Sequence, residues 1–81
     1  MVAASRAEAL AALGELSKAA LIGALRSEEW RVRGWSAVAL GSMGPDAAEA
    51  VPQLEHVLAE NRPEVRAAAQ AALTRITGAA R

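Results

Sequence analysis

Few residues in this chain could do chemistry, and none sits in the pattern that chemistry requires. His56 is the single histidine. An imidazole that binds zinc or moves protons needs a second His, a Cys or a carboxylate at ligand spacing. His56 instead lies between the apolar Leu54 and Val57, on an outward helix face with Glu55 and Glu60 nearby. No cysteine is present, which removes thiolate nucleophiles, disulfides and cysteine zinc sites. Ser5, Ser17, Ser27, Ser36 and Ser42 lack the strand–turn–helix setting of an activated hydroxyl. Gly41-Ser-Met-Gly44 ends a helix and cradles no phosphate. The residues predict no catalytic site, no cofactor and no metal, so the chain is expected not to be an enzyme.

What recurs is a pattern of another kind. Trp30-Arg-Val-Arg-Gly-Trp-Ser-Ala-Val-Ala-Leu40 returns 33 residues later as Pro63-Glu-Val-Arg-Ala-Ala-Ala-Gln-Ala-Ala-Leu73. Val32-Arg33 aligns with Val65-Arg66, Leu40 with Leu73, and Met43 with Ile76. Upstream, Leu21 and Leu25 align with Leu54 and Leu58. A fixed period between about 20 and 50 residues marks a stacked-repeat architecture, in which each unit covers the apolar side of its neighbour.

Composition agrees with that architecture. Abundant Ala with Leu, Glu and Arg favours helices, Phe and Tyr are absent, and Trp30 and Trp35 are the only aromatics. Nine basic and nine acidic residues cancel to a formal net charge of zero, unlike the basic footprint of a nucleic-acid binder. The longest apolar run, Ala19 to Leu25, falls far short of the ~20 residues that span a bilayer. No signal peptide is visible in Met1-Val-Ala-Ala-Ser-Arg6. The expectation is a cytoplasmic protein with no membrane partner.

The 3.6-residue pattern and its punctuation predict five helices. The first runs from Ala3 to Leu13, ending at Gly14, and the second from about Glu15 to Arg26. The third spans Trp30 to Met43 and stops at Gly44-Pro45. The fourth covers Asp46 or Ala47 to Glu60. Pro52 either bends it or marks a late start after a separate turn at Asp46 to Ala50. The fifth begins at Pro63, whose fixed φ suits a first turn, and ends at Gly78. The chain is thus one domain, 1–81, with 3–13 an orphan second helix, 15–43 a first repeat and 46–77 a second. On the third helix, Val32, Ser36, Ala39, Leu40 and Met43 share the face expected to meet the paired helix. Gly34, Val38 and Gly41 point away, with Trp35 and Ser42 on one flank and Ala37 on the other.

These residues resemble the HEAT-like repeat family. Val-Arg, small residues, Leu and an Ile or Met before Gly resemble its second helix. Gly44-Pro45-Asp46-Ala47-Ala48-Glu49-Ala50-Val51-Pro52-Gln53-Leu54 is similar to its turn and next first helix. The variety is the short bacterial kind similar to phycobilisome-lyase repeats. The resemblance implies an all-α, right-handed α-α superhelix (solenoid) of about two and a half hairpins, acting as a non-enzymatic protein-binding or scaffold module. It also admits an accessory subunit or chaperone of a cofactor-attaching lyase-type enzyme. A third implied function, nucleic-acid binding as in HEAT-like DNA glycosylases, is opposed by the charge balance. In such repeats an acid six positions before the Arg helps form a polar ladder. Those positions hold Ser27 and Glu60, so the ladder is expected to be lost around Arg33.

The candidate partner-binding residues are Trp35, Val38, Gly34 and Gly41, an apolar strip expected on the inner surface. Trp35 carries two readings: an anchor for a partner protein, or a filler against neighbouring Ala-rich second helices. Trp30 is expected to pack over the helix pair. Arg33 and Arg66, recurring at repeat spacing, are expected to make structural hydrogen bonds. The Ala-rich terminal helices, lacking charged caps, point to self-association or to neighbours at the ends.

Overall fold

The computed structural model describes residues 17–78, and no strand occurs among them. Residues 17–24 form α1. Helix α2 is Trp30–Met43, a 3-10 helix covers Gly44–Ala50, α3 is Val51–Val57 and α4 is Pro63–Thr77. The predicted helix from Ala3 to Leu13 lies outside the described residues. No helix among those described is long and apolar enough to cross a membrane.

Local chemistry sets each boundary. The backbone before α2 is extended at Glu29, and the Ser27 hydroxyl accepts the Glu29 N–H at 3.1 Å. At the other end Gly44 takes φ +63°, a conformation closed to most side chains, and Pro45 prevents continuation of the α-helix. The chain tightens into the 3-10 helix, which breaks at Ala47 (φ −99°, ψ 23°). Regular helix resumes at Val51 with Pro52 in its first turn, where a missing N–H removes no intrahelical bond. Of the two readings of Pro52, the late start is the observed one. Helix α4 opens on Pro63 in the same manner and closes on Gly78 in the left-handed region (φ 69°, ψ 19°), whose N–H bonds Thr74 O at 2.9 Å.

Helices α2 and α4 lie side by side, with the 3-10 helix packed against both and α3 packed against α4. Leu40, Leu54 and Val65 are the largest fully buried side chains, joined by Leu25, Leu73, Ile76 and small residues such as Ala47, Ala50 and Ala69. Leu21, Ile22, Val51 and Leu58 pack on this core half-buried. Ser36 is buried within it, yet its hydroxyl donates to Val32 O at 2.7 Å, which satisfies the group without a distant partner. Lys18 ties α1 to the 3-10 helix through Glu49 at 2.6 Å and Asp46 O at 3.2 Å.

The inward face of α2 includes Ser36, Leu40 and Met43 as expected, but it is turned toward a flank that the angles did not place there. Ala37 and Gly41 are buried, whereas Val32 is 40% exposed. The aligned residues Val65 and Val32 share a helical angle but not an environment. Val65 is covered by α2 at Gly34, while nothing described covers the corresponding face of α2. That face carries Val32, Trp35 and the half-buried Ala39.

Arg33 is the other correction. The absent acid at Ser27 was expected to break the ladder here, but the Arg33 guanidinium binds the Glu60 carboxylate instead. Both side chains are mostly buried, at 18% and 15% exposure. Arg33 also donates to Ser27 O at 2.7 Å, so the pair clamps the α1–α2 loop to the α3–α4 loop. Among the described residues its buried Nε has no acceptor. Replacing Glu60 by Gln keeps the volume but removes the charge from a partly desolvated contact. The expected loss is about 1–2 kcal/mol, read as a lower urea midpoint with an unchanged slope. An unaltered midpoint would show that solvent screens the pair.

Candidate functional site

The apolar strip resolves into a groove between α2 and α4. Trp30, Arg31, Gly34, Trp35 and Val38 line it from α2, and Glu64, Val65 and Ala68 from α4. It continues along both helices past Gly41 to Ala71, Ala72 and Arg75. Small residues shape it: Gly34 and Ala68 leave a shallow floor, while Trp35 and Val38 stand above it.

Trp35 is 74% exposed and Val38 50% exposed. The filler reading of Trp35 therefore finds no support among the described residues. Large apolar side chains exposed together, on one helix face, are the informative departure from an ordinary surface. Gly34 belongs to the groove, where an added Cβ would stand 4.0 Å from Val65 Cγ2. Gly41 does not offer a free surface. A Cβ built there would stand 3.0 Å from Ala72 Cα and 3.2 Å from its Cβ, so α2 and α4 approach closely at this glycine. Its role is packing, a correction to the sequence expectation. Among the described residues, the four candidates thus separate into Trp35 and Val38 as exposed ridge, Gly34 as floor, and Gly41 as buried contact.

Trp30 packs half-buried on the core. Its ring is flanked by two guanidinium groups, Arg62 at 4.2 Å and Arg31 at 4.8 Å from the centroid. Stacking on the ring holds Arg62, in the α3–α4 loop, over the start of α2. Sequence reasoning placed Trp30 correctly but missed its two cations. The four arginines Arg31, Arg33, Arg62 and Arg66 are largely engaged inside the molecule. Arg31 and Arg62 lie on Trp30, Arg33 on Glu60, and Arg66 on two loop carbonyls.

His56 is exposed on α3, beside a cleft lined by Leu25, Arg33, Val57, Ala59 and Glu60. Among the described residues no group of three His, Cys, Asp or Glu side chains could hold a metal ion.

Side-by-side second helices, tied loop to loop and repeating their Val-Arg pair, define a helical repeat protein. The family model for HEAT repeats matches residues 2–74, and the chain belongs to that family. No curated protein and no solved structure matches the chain. HEAT repeats commonly mediate protein–protein contacts or scaffolding, because successive repeats join into extended binding surfaces.

Proposed function

We propose that the chain is a non-enzymatic HEAT-repeat module, a single α-α superhelical domain with repeats at 15–43 and 46–77. It binds another protein through the groove between α2 and α4. The observation that carries this reading is the exposed pair Trp35 and Val38 beside the small-residue floor of Gly34 and Ala68. An aromatic ridge next to a shallow apolar trough suits an interlocking side chain or helix of a partner, and Trp dominates the energetics of such contacts. The groove is open and its walls are mainly apolar. Arg31 and Glu64 are the polar residues of its lining, fewer than the set of convergent polar groups that orients a small-molecule ligand. A protein partner fits it better than a pigment or another cofactor, and the reading includes a cytoplasmic setting.

The test begins with the protein that co-purifies with the intact chain and measures its affinity for variants. Val38→Glu should leave stability within about 0.5 kcal/mol, since the side chain is half exposed on a helix that accepts Glu. The same change should weaken binding at least about tenfold by placing a charge in the trough. Trp35→Ala should weaken it more, by about 2 kcal/mol or above, as expected for a central aromatic anchor. Undiminished affinity in both variants removes the groove as the binding site.

A further inference from the structure

Helices α2 and α4 run in the same direction, since Gly34 lies nearest Val65 and Gly41 nearest Ala72. The groove between them carries a carboxylate toward one end, Glu64, and a guanidinium toward the other, Arg75. The two lie 11 positions apart on α4, about three helical turns, so both stand on the groove side of that helix. Both are exposed, and among the described residues neither side chain has an ion-pair partner. Arg31 also lines the groove, but its guanidinium lies over Trp30 and is balanced by Glu29 at 3.9 Å.

A face with opposite charges at its two ends is complementary to its own copy turned end for end. A two-fold axis lying across the groove, perpendicular to the helices, sets α2 and α4 of a second copy antiparallel to the first. Glu64 of each copy then meets Arg75 of the other, which gives two identical ion pairs. Midway between these charges on α4 are Ala68 and Ala71, the residues that line the groove beside Val38. The apolar ridge therefore falls at the centre of the contact and the charges at its rim, as in protein interfaces generally. Antiparallel placement also opposes the aligned dipoles of α2 and α4 to those of the other copy. The formal net charge of zero leaves no overall repulsion between copies.

We infer that a second copy of this chain occupies the groove, with Trp35 and Val38 at the centre of a two-fold interface and Glu64–Arg75 pairs at both ends. The inference rests on the reading of the groove as a protein-docking surface and names an occupant for it. Three turns of two helices make a contact only about 16 Å long, at the low end for specific interfaces, so the dimer is weak and reversible. Reversibility leaves the groove open to competition. Any other protein that docks on Trp35 and Val38 must displace the second copy, and its apparent affinity falls as the chain concentration rises.

Analytical ultracentrifugation of the intact chain from about 10 µM to about 1 mM, a span suited to a small interface, reads the association directly. A monomer–dimer equilibrium is expected. Tryptophan emission moves to shorter wavelength as the dimer forms, because the exposed Trp35 passes from water into the contact. Glu64→Arg and Arg75→Glu each set like charges against each other at both ends, and each raises the dimer dissociation constant about tenfold or more. Mixing the two variants restores association, since one chain then offers two arginines and the other two glutamates. The double variant Glu64→Arg, Arg75→Glu restores the symmetric dimer to within about threefold of the original constant. Damage to folding would not be repaired by mixing. A chain that stays monomeric, a dimer indifferent to both reversals, or a mixture no tighter than either variant alone overturns the proposal. A monomeric chain whose co-purifying partner is lost on Trp35→Ala excludes the second copy and keeps the docking groove. A charge-dependent dimer whose co-purifying partner ignores Trp35→Ala and Val38→Glu does the reverse.

Discussion

Leu40→Ala lowers stability by about 2–5 kcal/mol, the range for removing a buried leucine side chain from a packed core. Leu40 is fully buried among the small and branched residues that α2, α4 and the 3-10 helix contribute. The neighbours cannot collapse into the space, because Ala37, Ala47, Ala50 and Ala69 are already short and fully covered. Native domains are stable by only about 5–15 kcal/mol in total, and one this small buries proportionately less surface. The variant is expected to be close to unfolded at room temperature, seen as a collapsed urea midpoint and a broad, early thermal transition by circular dichroism. A loss below about 1 kcal/mol would mean that α2 does not pack on α4 through this residue.

Gly41→Val is the second large effect, of opposite physical origin. The first added carbon meets Ala72 Cα at 3.0 Å, a contact with backbone that no rotamer change relieves. The helices must separate, at a cost of up to about 3 kcal/mol for overpacking. Gly34→Ala is the matched control on the same helix, where a Cβ reaches only Val65 Cγ2 at 4.0 Å. There the gain in helix propensity, about 0.5–1 kcal/mol, should appear as stabilisation. The two substitutions are thus expected to move the urea midpoint in opposite directions. Stabilisation by both would show that α2 and α4 are farther apart at Gly41 than the geometry gives.

These glycines also show where sequence reasoning reached its limit. On α4 the polar residues Glu64, Arg66, Gln70 and Arg75 leave a clear apolar stripe, and Val65, Ala69, Ala72, Leu73 and Ile76 are buried as that stripe predicts. On α2 apolar and small residues run almost all the way round, from Trp30 through Val32, Trp35, Val38 and Leu40. Angles around such a helix do not select one inward face. Ala37 and Gly41 turned inward, while Val32 and Trp35 remained outside. The candidate binding residues divided along the same line, since a glycine reads alike in sequence whether it floors an open groove or admits a neighbouring backbone.

The ion pair follows the same logic. An acid six positions before an arginine is a local pattern, and its absence at Ser27 suggested that the ladder is broken around Arg33. The carboxylate comes instead from Glu60, across the boundary between repeats. That contact exists only once the two loops are brought together.

By itself the sequence determined the helical class, the repeat spacing and the ends of α2 and α4. These depend on short-range effects: the φ of Gly44 and Gly78, the missing N–H of proline, and the helix preference of Ala and Leu. Tertiary structure alone decided which flank of α2 is covered, which glycine is a packing contact, and which acid Arg33 meets. Each is settled by what lies next to a residue in space, and equivalent positions in a short array have different neighbours on their two sides.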